Sequence, residues 1–289
     1  MRWWELFVQG SASGLLMGFV YALIAAGLSL IFGLMEIVNF AHGEFLMLSM
    51  FTAFWLATLF AMDPILSLPL CGVLLFVLGV LVYRGIIRRI LAAPMLAQIF
   101  ATFGLGVFLR SLAQFLWTPN YRVVKDPWLA GRIAIGPIFI GLPQLAASAM
   151  ALLAFGLLYW FIARTETGRA IRATSEDREA AGLMGINSER IFALGWGIGG
   201  ACVGVAGALL STFYYIFPDV GFFFALIAFI TVALGGFGSI PGALVAGVII
   251  GLVESWSGLF VAPAFKYTGV FSLYLAVVLV RPRGLMGRY

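Results

Sequence analysis

LFVQGSASGLLMGFVYALIAAGLSLIFGLM, residues 6–35, runs for thirty positions without an Asp, Glu, Lys or Arg. The hydrocarbon core of a bilayer is about 30 Å thick, and a helix rising 1.5 Å per residue crosses it in roughly 20 mostly apolar residues. This stretch is therefore long enough to span with some tilt. It is too long for the core of a secretory signal and lacks a convincing A-x-A cleavage site after it, so it is read as a retained helix.

The same reading extends outward through the chain. Residues 45–62, 64–83, 90–109, 133–163, 191–218 and 220–253 are also free of charge, and 255–280 is interrupted only by Lys266. Of the 289 residues, 63% are hydrophobic and 10% charged, against about 25% charged in ordinary soluble domains. That balance excludes a soluble enzyme, a disordered regulator and a nucleic-acid module. The expected fold class is all-α: a polytopic membrane helix bundle of about 8–10 spans with discontinuous helices. Breaking the long runs at Gly, Pro and polar residues gives nine spans, near 11–33, 44–61, 65–83, 95–117, 141–163, 191–216, 222–238, 240–258 and 267–281. Residues 1–289 then form one transmembrane domain with an external loop at 118–140 and a cytoplasmic loop at 164–190.

The basic residues set the orientation, because loops rich in Lys and Arg stay cytoplasmic. Eleven of seventeen lie in three segments: Arg84, Arg88 and Arg89; Arg164, Arg169, Arg172, Arg178 and Arg190; and Arg281, Arg283 and Arg288. With nine alternating spans these fall on one side, leaving Arg2, Arg122, Lys125, Arg132 and Lys266 opposite, with Arg110 near that face. The N-terminus is then outside and the C-terminus cytoplasmic. The net charge of +5 is topology and not a nucleic-acid footprint.

The cytoplasmic loop reads RTETGRAIRATSEDREAAGLMGINSER. Thr167 can cap one short helix, and Thr174 with Asp177 reads as a capping box for a second. Glu176, Asp177 and Glu179 suit the positive end of that second helix, and Gly185 is placed to end it. Ala180, Ala181, Leu183, Met184 and Ile186 form a small apolar surface with nothing in the loop to cover it. The two readings are a helix lying on or beneath the bilayer and a helix docking in a groove of a cytosolic partner.

Gly and Pro interruptions of apolar runs point to a transport path, where backbone leaves helical geometry only to line a cavity. Two stand out: GLMEIVNFAHGE at 33–44, carrying Glu36, Asn39, His42 and Glu44, and GGFGSIPG at 235–242. They fall in opposite halves, each before an apolar helix rich in small residues. The chain resembles two related halves, with residue identity between them too low to establish a repeat. His42 and Glu44 admit a metal, a proton-relay or a structural hydrogen-bonding reading, but one His and one carboxylate are not a ligand set. Glu254 is a lone carboxylate inside an apolar run and a path candidate, since such groups usually face a cavity or partner. Cys71 and Cys202 sit in apolar runs as small buried hydrophobes. Neither Lys125 nor Lys266 lies in a G-x-x-x-x-G-K-[ST] loop, so no P-loop binds ATP here. No motif suggests a catalytic residue or a metal site.

Four blocks, GLSLIFGLMEIVNFAHGEFLML at 27–48, GRAIRATSEDREAAGLMGIN at 168–187, GGFGSIPGALVAGVIIGLVE at 235–254 and the RPRGLMGR tail at 281–288, resemble the Liv-type permeases, H-like membrane subunits of ABC importers for branched-chain amino acids. The resemblance implies a bacterial inner-membrane, multi-pass permease paired with a second related permease, two cytosolic ATP-binding subunits and an extracytoplasmic solute-binding protein. No cofactor is expected on this chain, ATP being held by the partner subunits. By that likeness Arg169, Arg172, Glu176, Asp177, Ala181, Met184 and Gly185 would meet an ATP-binding subunit. Asn39, His42, Glu44, Gly235, Gly236, Ser239 and Pro241, with Glu254, would flank the translocation path. A short hairpin around Gly136 and Pro137 is a natural contact for the binding protein, as an ordinary loop would also be. The segment YRGIIRRILAAPMLAQ at 83–98 lacks the Arg-Pro-Leu-Arg run common in the family, which marks a diverged subgroup. Related permeases carry urea, short amides or other amino acids. A self-contained proton-coupled transporter using His42, Glu44 and Glu254 is the rival of another class.

Overall fold

The computed structural model describes residues 2–125, 127–136 and 138–287. Arg288 of the basic tail and Pro137 of the expected hairpin lie outside them. The chain is an all-α, multi-pass membrane bundle. Its elements are α1 (Trp3–Met35), α2 (His42–Phe60), α3 (Pro64–Val82), α4 (Arg88–Ile90), α5 (Met95–Trp117), β1 (Arg132–Ile135), β2 (Ile138–Gly141), α6 (Leu142–Arg164), α7 (Glu166–Glu176), α8 (Arg178–Leu183), α9 (Ser188–Leu210), α10 (Val220–Gly235), α11 (Ile240–Phe260) and α12 (Lys266–Val280). A π-helical turn at Tyr83–Ile87 joins α3 to α4, and the three make one rod, Pro64–Ile90. Among the described residues, eight helices are long and apolar enough to cross a membrane. The ninth expected span, near 222–238, is instead the 16-residue α10, which at about 24 Å falls short of the hydrocarbon core.

The packing is organised by two antiparallel pairs, α1 with α11 and α3 with α9. Both use glycines to bring backbones together, as helices do in lipid, where close packing takes the place of hydrophobic collapse. A Cβ on Gly14 would sit 2.6 Å from the Gly251 carbonyl oxygen, and one on Gly204 would sit 2.7 Å from that of Cys71. The small-residue stretch of α9, residues 197–208, is buried along most of its length.

The two pairs link the halves of the chain reciprocally: of the segments α1, α2, α3 and α9, α10, α11, the first of each set packs on the third of the other, α1 on α11 and α9 on α3. After α1 reaches one face of the bundle, residues 36–41 turn back inward, so α2 begins at depth: the His42 imidazole bonds the Ile24 carbonyl, eleven residues before the end of α1. In the second half the stretch that re-enters is 211–219, between α9 and α10. It carries an isolated bridge between Ile216 and Arg122 of the 118–140 loop, then returns so that Gly221 of α10 lies against Gly43 of α2. The expected second break at 235–242 is a tight turn from α10 into α11, with Gly236 and Gly238 at positive φ and Ser239 capping α11 through Gly242 N–H.

The three basic segments gather on one face. Arg88 pairs with Glu189 at 2.9 Å, and Leu285 and Met286 donate to the Leu234 and Gly235 carbonyls. Arg172 and Met286 share the wall of one cleft. On the opposite face Asp63 accepts from Trp128 N–H at 2.7 Å. There Gln9 also bonds Phe139 in both directions, at 2.7 and 2.8 Å. The expected hairpin is present as β1 and β2, paired antiparallel from Arg132 opposite Gly141 to Ile135 opposite Ile138.

Candidate functional site

The residues singled out from the sequence separate into four places. The first is the junction of the two half-helices. Counting back from Phe54 and Trp55, which stack under Arg122 of the 118–140 loop, Glu44 lies about 15 Å below that face at 1.5 Å per residue. Gly221 lies about 21 Å from the basic face by the same count along α10. Both helices thus begin near the middle of the bundle, with their positive N-terminal ends converging. Asn39 is fully buried, and its Oδ1 accepts from Ala41 N–H at 3.0 Å, which shapes the turn into α2. His42, also fully buried, donates from Nε2 to Ile24 O at 2.9 Å. A carbonyl accepts only from a protonated nitrogen, so Nδ1 is the free acceptor. His42 therefore ties α2 to α1 deep in the bundle.

Glu44 is 2% exposed in the first turn of α2. It accepts from Arg110 of α5 through Nε at 3.1 Å and through Nη2. Arg110 also approaches Asp219, the residue preceding α10, at 3.9 Å, and Gln114 donates to the same carboxylate at 3.5 Å. Arg110, expected near the outer face, lies seven residues before the end of α5, about 10 Å along the helix. It bridges the N-termini of both half-helices. Neither Arg110 nor Asp219 is marked by any local motif; a lone cation inside an apolar helix was the available signal, since such a charge needs a partner.

The second place is the turn on the basic face. Gly235 packs on Gly242, Gly236 on Gly287 of the C-terminal tail. Ser239 and Pro241 line a cleft of about 650 Å³ together with Gly33, Glu36, Arg172 and Ser175. Ser239 and Pro241 thus meet a docking candidate, Arg172, and lie apart from Asn39, His42 and Glu44. The third place is Glu254 on α11, which accepts from Tyr21 Oη at 2.6 Å and pairs with Lys266 at 3.2 Å.

The fourth is the loop between α6 and α9. Its helices are capped differently from expectation. Thr165, not Thr167, caps α7 by accepting from Gly168 N–H at 3.0 Å. Asp177 alone caps α8, accepting from Glu179 and Ala180 N–H at 2.9 Å each. Thr174 lies inside α7, buried, with its hydroxyl on the Ala170 carbonyl. The φ of +81° at Gly185 ends α8, with Ile186 N–H on Ala181 O at 3.0 Å. Ala181 is buried, whereas Leu183 and Met184 are 89% and 82% exposed. Arg169 pairs with Glu166 at 3.5 Å, and Arg172 donates to Ile162 O at 2.6 Å. Two large apolar side chains, Leu183 and Met184, thus project exposed from the end of a short helix capped by Asp177.

Comparison with known proteins agrees along the whole chain. Residues 11–280 match the family model described as branched-chain amino acid transport system / permease component. The chain is 32% identical over 295 residues to the high-affinity branched-chain amino acid transport system permease protein BraD of Pseudomonas aeruginosa, covering 98% of this chain and 96% of that one. It is 33% identical over 297 residues to the LivH permease proteins of Salmonella typhimurium and Escherichia coli K12, with the same coverage. No solved structure matches it.

Proposed function

This chain belongs to the branched-chain amino acid transport system permease family, and from that premise we propose that it is the membrane-spanning subunit of an ABC importer for branched-chain or other small amino acids. It is a transporter subunit and not an enzyme. A solute-binding protein delivers the cargo, a second related permease completes the passage, and two separate subunits hydrolyse ATP. The observation that carries the reading is the end-to-end match at one third identity to permeases of branched-chain amino acid systems.

The chemistry of the two faces supports this arrangement. The face that gathers Arg88, Arg172, Arg190 and the C-terminal tail is the cytoplasmic one, which puts Trp3 and the β1–β2 hairpin outside. The exposed Leu183 and Met184 fit a groove on an ATP-binding subunit, with Asp177 holding α8 rigid enough to transmit its motion. Arg172 joins α7 to α6 and lines the cleft that also contains Ser239 and Pro241. A push on α7 is therefore felt at the turn joining α10 to α11. Movement of α10 then alters the junction with α2 at the membrane middle, where the path opens to one side or the other. The hairpin β1–β2, tied to α1 through Gln9, is the contact for the binding protein.

Membrane vesicles holding the chain with its partner subunits should take up leucine only with ATP on the cytoplasmic side. Glu176→Lys and Asp177→Lys should hydrolyse ATP without transport. Wild-type coupling in both variants would remove the loop from the docking role.

A further inference from the structure

Arg110 and Asp219 place charges of both signs on a membrane-depth surface that is not sealed. Their side chains are 28% and 49% exposed, whereas Glu44 behind them is almost fully buried with Oε2 unpartnered among the described residues. That oxygen lies against the first turn of α10, 2.8 Å from where a Gly221 Cβ would stand. Ionisable groups at this depth are costly against lipid and face a water-filled cavity or another polar group. Asp219 is held only loosely, at 3.9 Å from Arg110 and 3.5 Å from Gln114. Its side chain makes no capping bond to α10, so its structural contribution is small.

The surface beside the pair is aromatic. Arg110 lies 5.3 Å over the Phe222 ring, and Phe222 and Phe223 are both exposed. Phe223 stacks on Tyr267 at 6.4 Å, Lys266 lies over Tyr267 at 4.5 Å, and Lys266 reaches Glu254. One strip therefore runs from the paired charges of Lys266 and Glu254, across three aromatic rings, to the paired charges of Arg110 and Asp219. A small molecule with an ammonium, a carboxylate and an apolar side chain matches that sequence of groups.

We propose that Arg110 and Asp219 form a contact station for a zwitterionic amino acid at the junction of α2 and α10, with the ammonium on Asp219, the carboxylate on the outward N–H groups of Arg110 and the side chain on Phe222 and Phe223. The inference rests on the reading of the chain as an amino-acid importer permease. Glu44 is the positioning residue: by taking Nε and Nη2 of Arg110 it fixes the guanidinium with its remaining donors turned toward the strip.

The test uses the assembled importer in proteoliposomes, in a background of Cys71→Ala and Cys202→Ala. Asp219→Cys should react with a charged, membrane-impermeant methanethiosulfonate reagent, and leucine under ATP turnover should slow the reaction. Asp219→Asn should assemble with its partners at wild-type yield but lose roughly tenfold to a hundredfold in uptake, the loss expected for one charge-assisted hydrogen bond. Asp219→Glu should recover part of it. A thiol in the Asp219→Cys variant that never reacts, or wild-type uptake in Asp219→Asn, overturns this inference while leaving the permease reading intact. Failure of the wild-type assembly to import leucine with ATP overturns the permease reading and this one with it.

Discussion

Arg110→Ala removes the partner of a carboxylate that has nowhere else to go. Glu44 is 2% exposed, and Arg110 is its only ion-pair partner among the described residues. Breaking a buried pair by deleting one member costs about 3–5 kcal/mol, because the remaining charge is left uncompensated. Two features place this pair near the lower end. Arg110 is itself partly exposed, and Glu44 sits in the first turn of α2, where the helix dipole returns roughly 0.3–1 kcal/mol. A loss of about 3 kcal/mol corresponds to about 6–12 °C in Tm by the scaling for chains of 150–250 residues. The assay is thermal unfolding of the detergent-purified chain, followed by fluorescence-detected size exclusion. It is run on wild type, Arg110→Ala, Glu44→Gln and the double variant. Neutralising Glu44 removes the charge that the single variant strands, so the double variant should recover more than half of the loss. Strict additivity of the two single effects, or an unshifted Arg110→Ala, would refute the placement of a buried ion pair between α2 and α5.

Three further outcomes follow from the geometry. Gly221→Val should abolish folded yield, because a Cβ there would stand 2.5 Å from the Gly43 carbonyl oxygen and 2.8 Å from Glu44 Oε2; Gly104→Ala, with no atom within 4 Å, should purify like wild type. Leu183→Asp with Met184→Asp should leave the stability of the isolated chain within about 0.5 kcal/mol of wild type, as surface changes do, yet eliminate co-purification of the ATP-binding subunits. Asp177→Ala deletes two capping bonds and should cost about 1 kcal/mol of local stability, read as faster amide exchange confined to 178–185.

The membrane class and the first re-entrant break were legible because their signals are local. Residues 36–44 set Glu36, Asn39, His42 and Glu44 into an otherwise apolar run, and polar groups at that density demand non-helical backbone or a partner. The matching break at 211–219 hides in plain composition: STFYYIFP is apolar and aromatic enough to pass as the end of a span, and only Pro218 and Asp219 mark it. GGFGSIPG carries the stronger local signal, although its glycines serve a tight turn on the basic face. The pairing of Glu44 with Arg110 spans 66 residues of sequence. The packing of α5 against α2 brings them together, so no spacing rule could reveal it. The caps of α7 and α8 were off by residues within one turn, where Thr and Asp compete for the same role.

The most direct test of the central claim is leucine uptake into proteoliposomes containing either the chain alone or the chain with its partner permease, ATP-binding subunits and binding protein. The account predicts uptake only in the complete assembly, and only with ATP, with a proton gradient making no difference. Proton-driven uptake by the isolated chain, with no ATP and no partner, would contradict it.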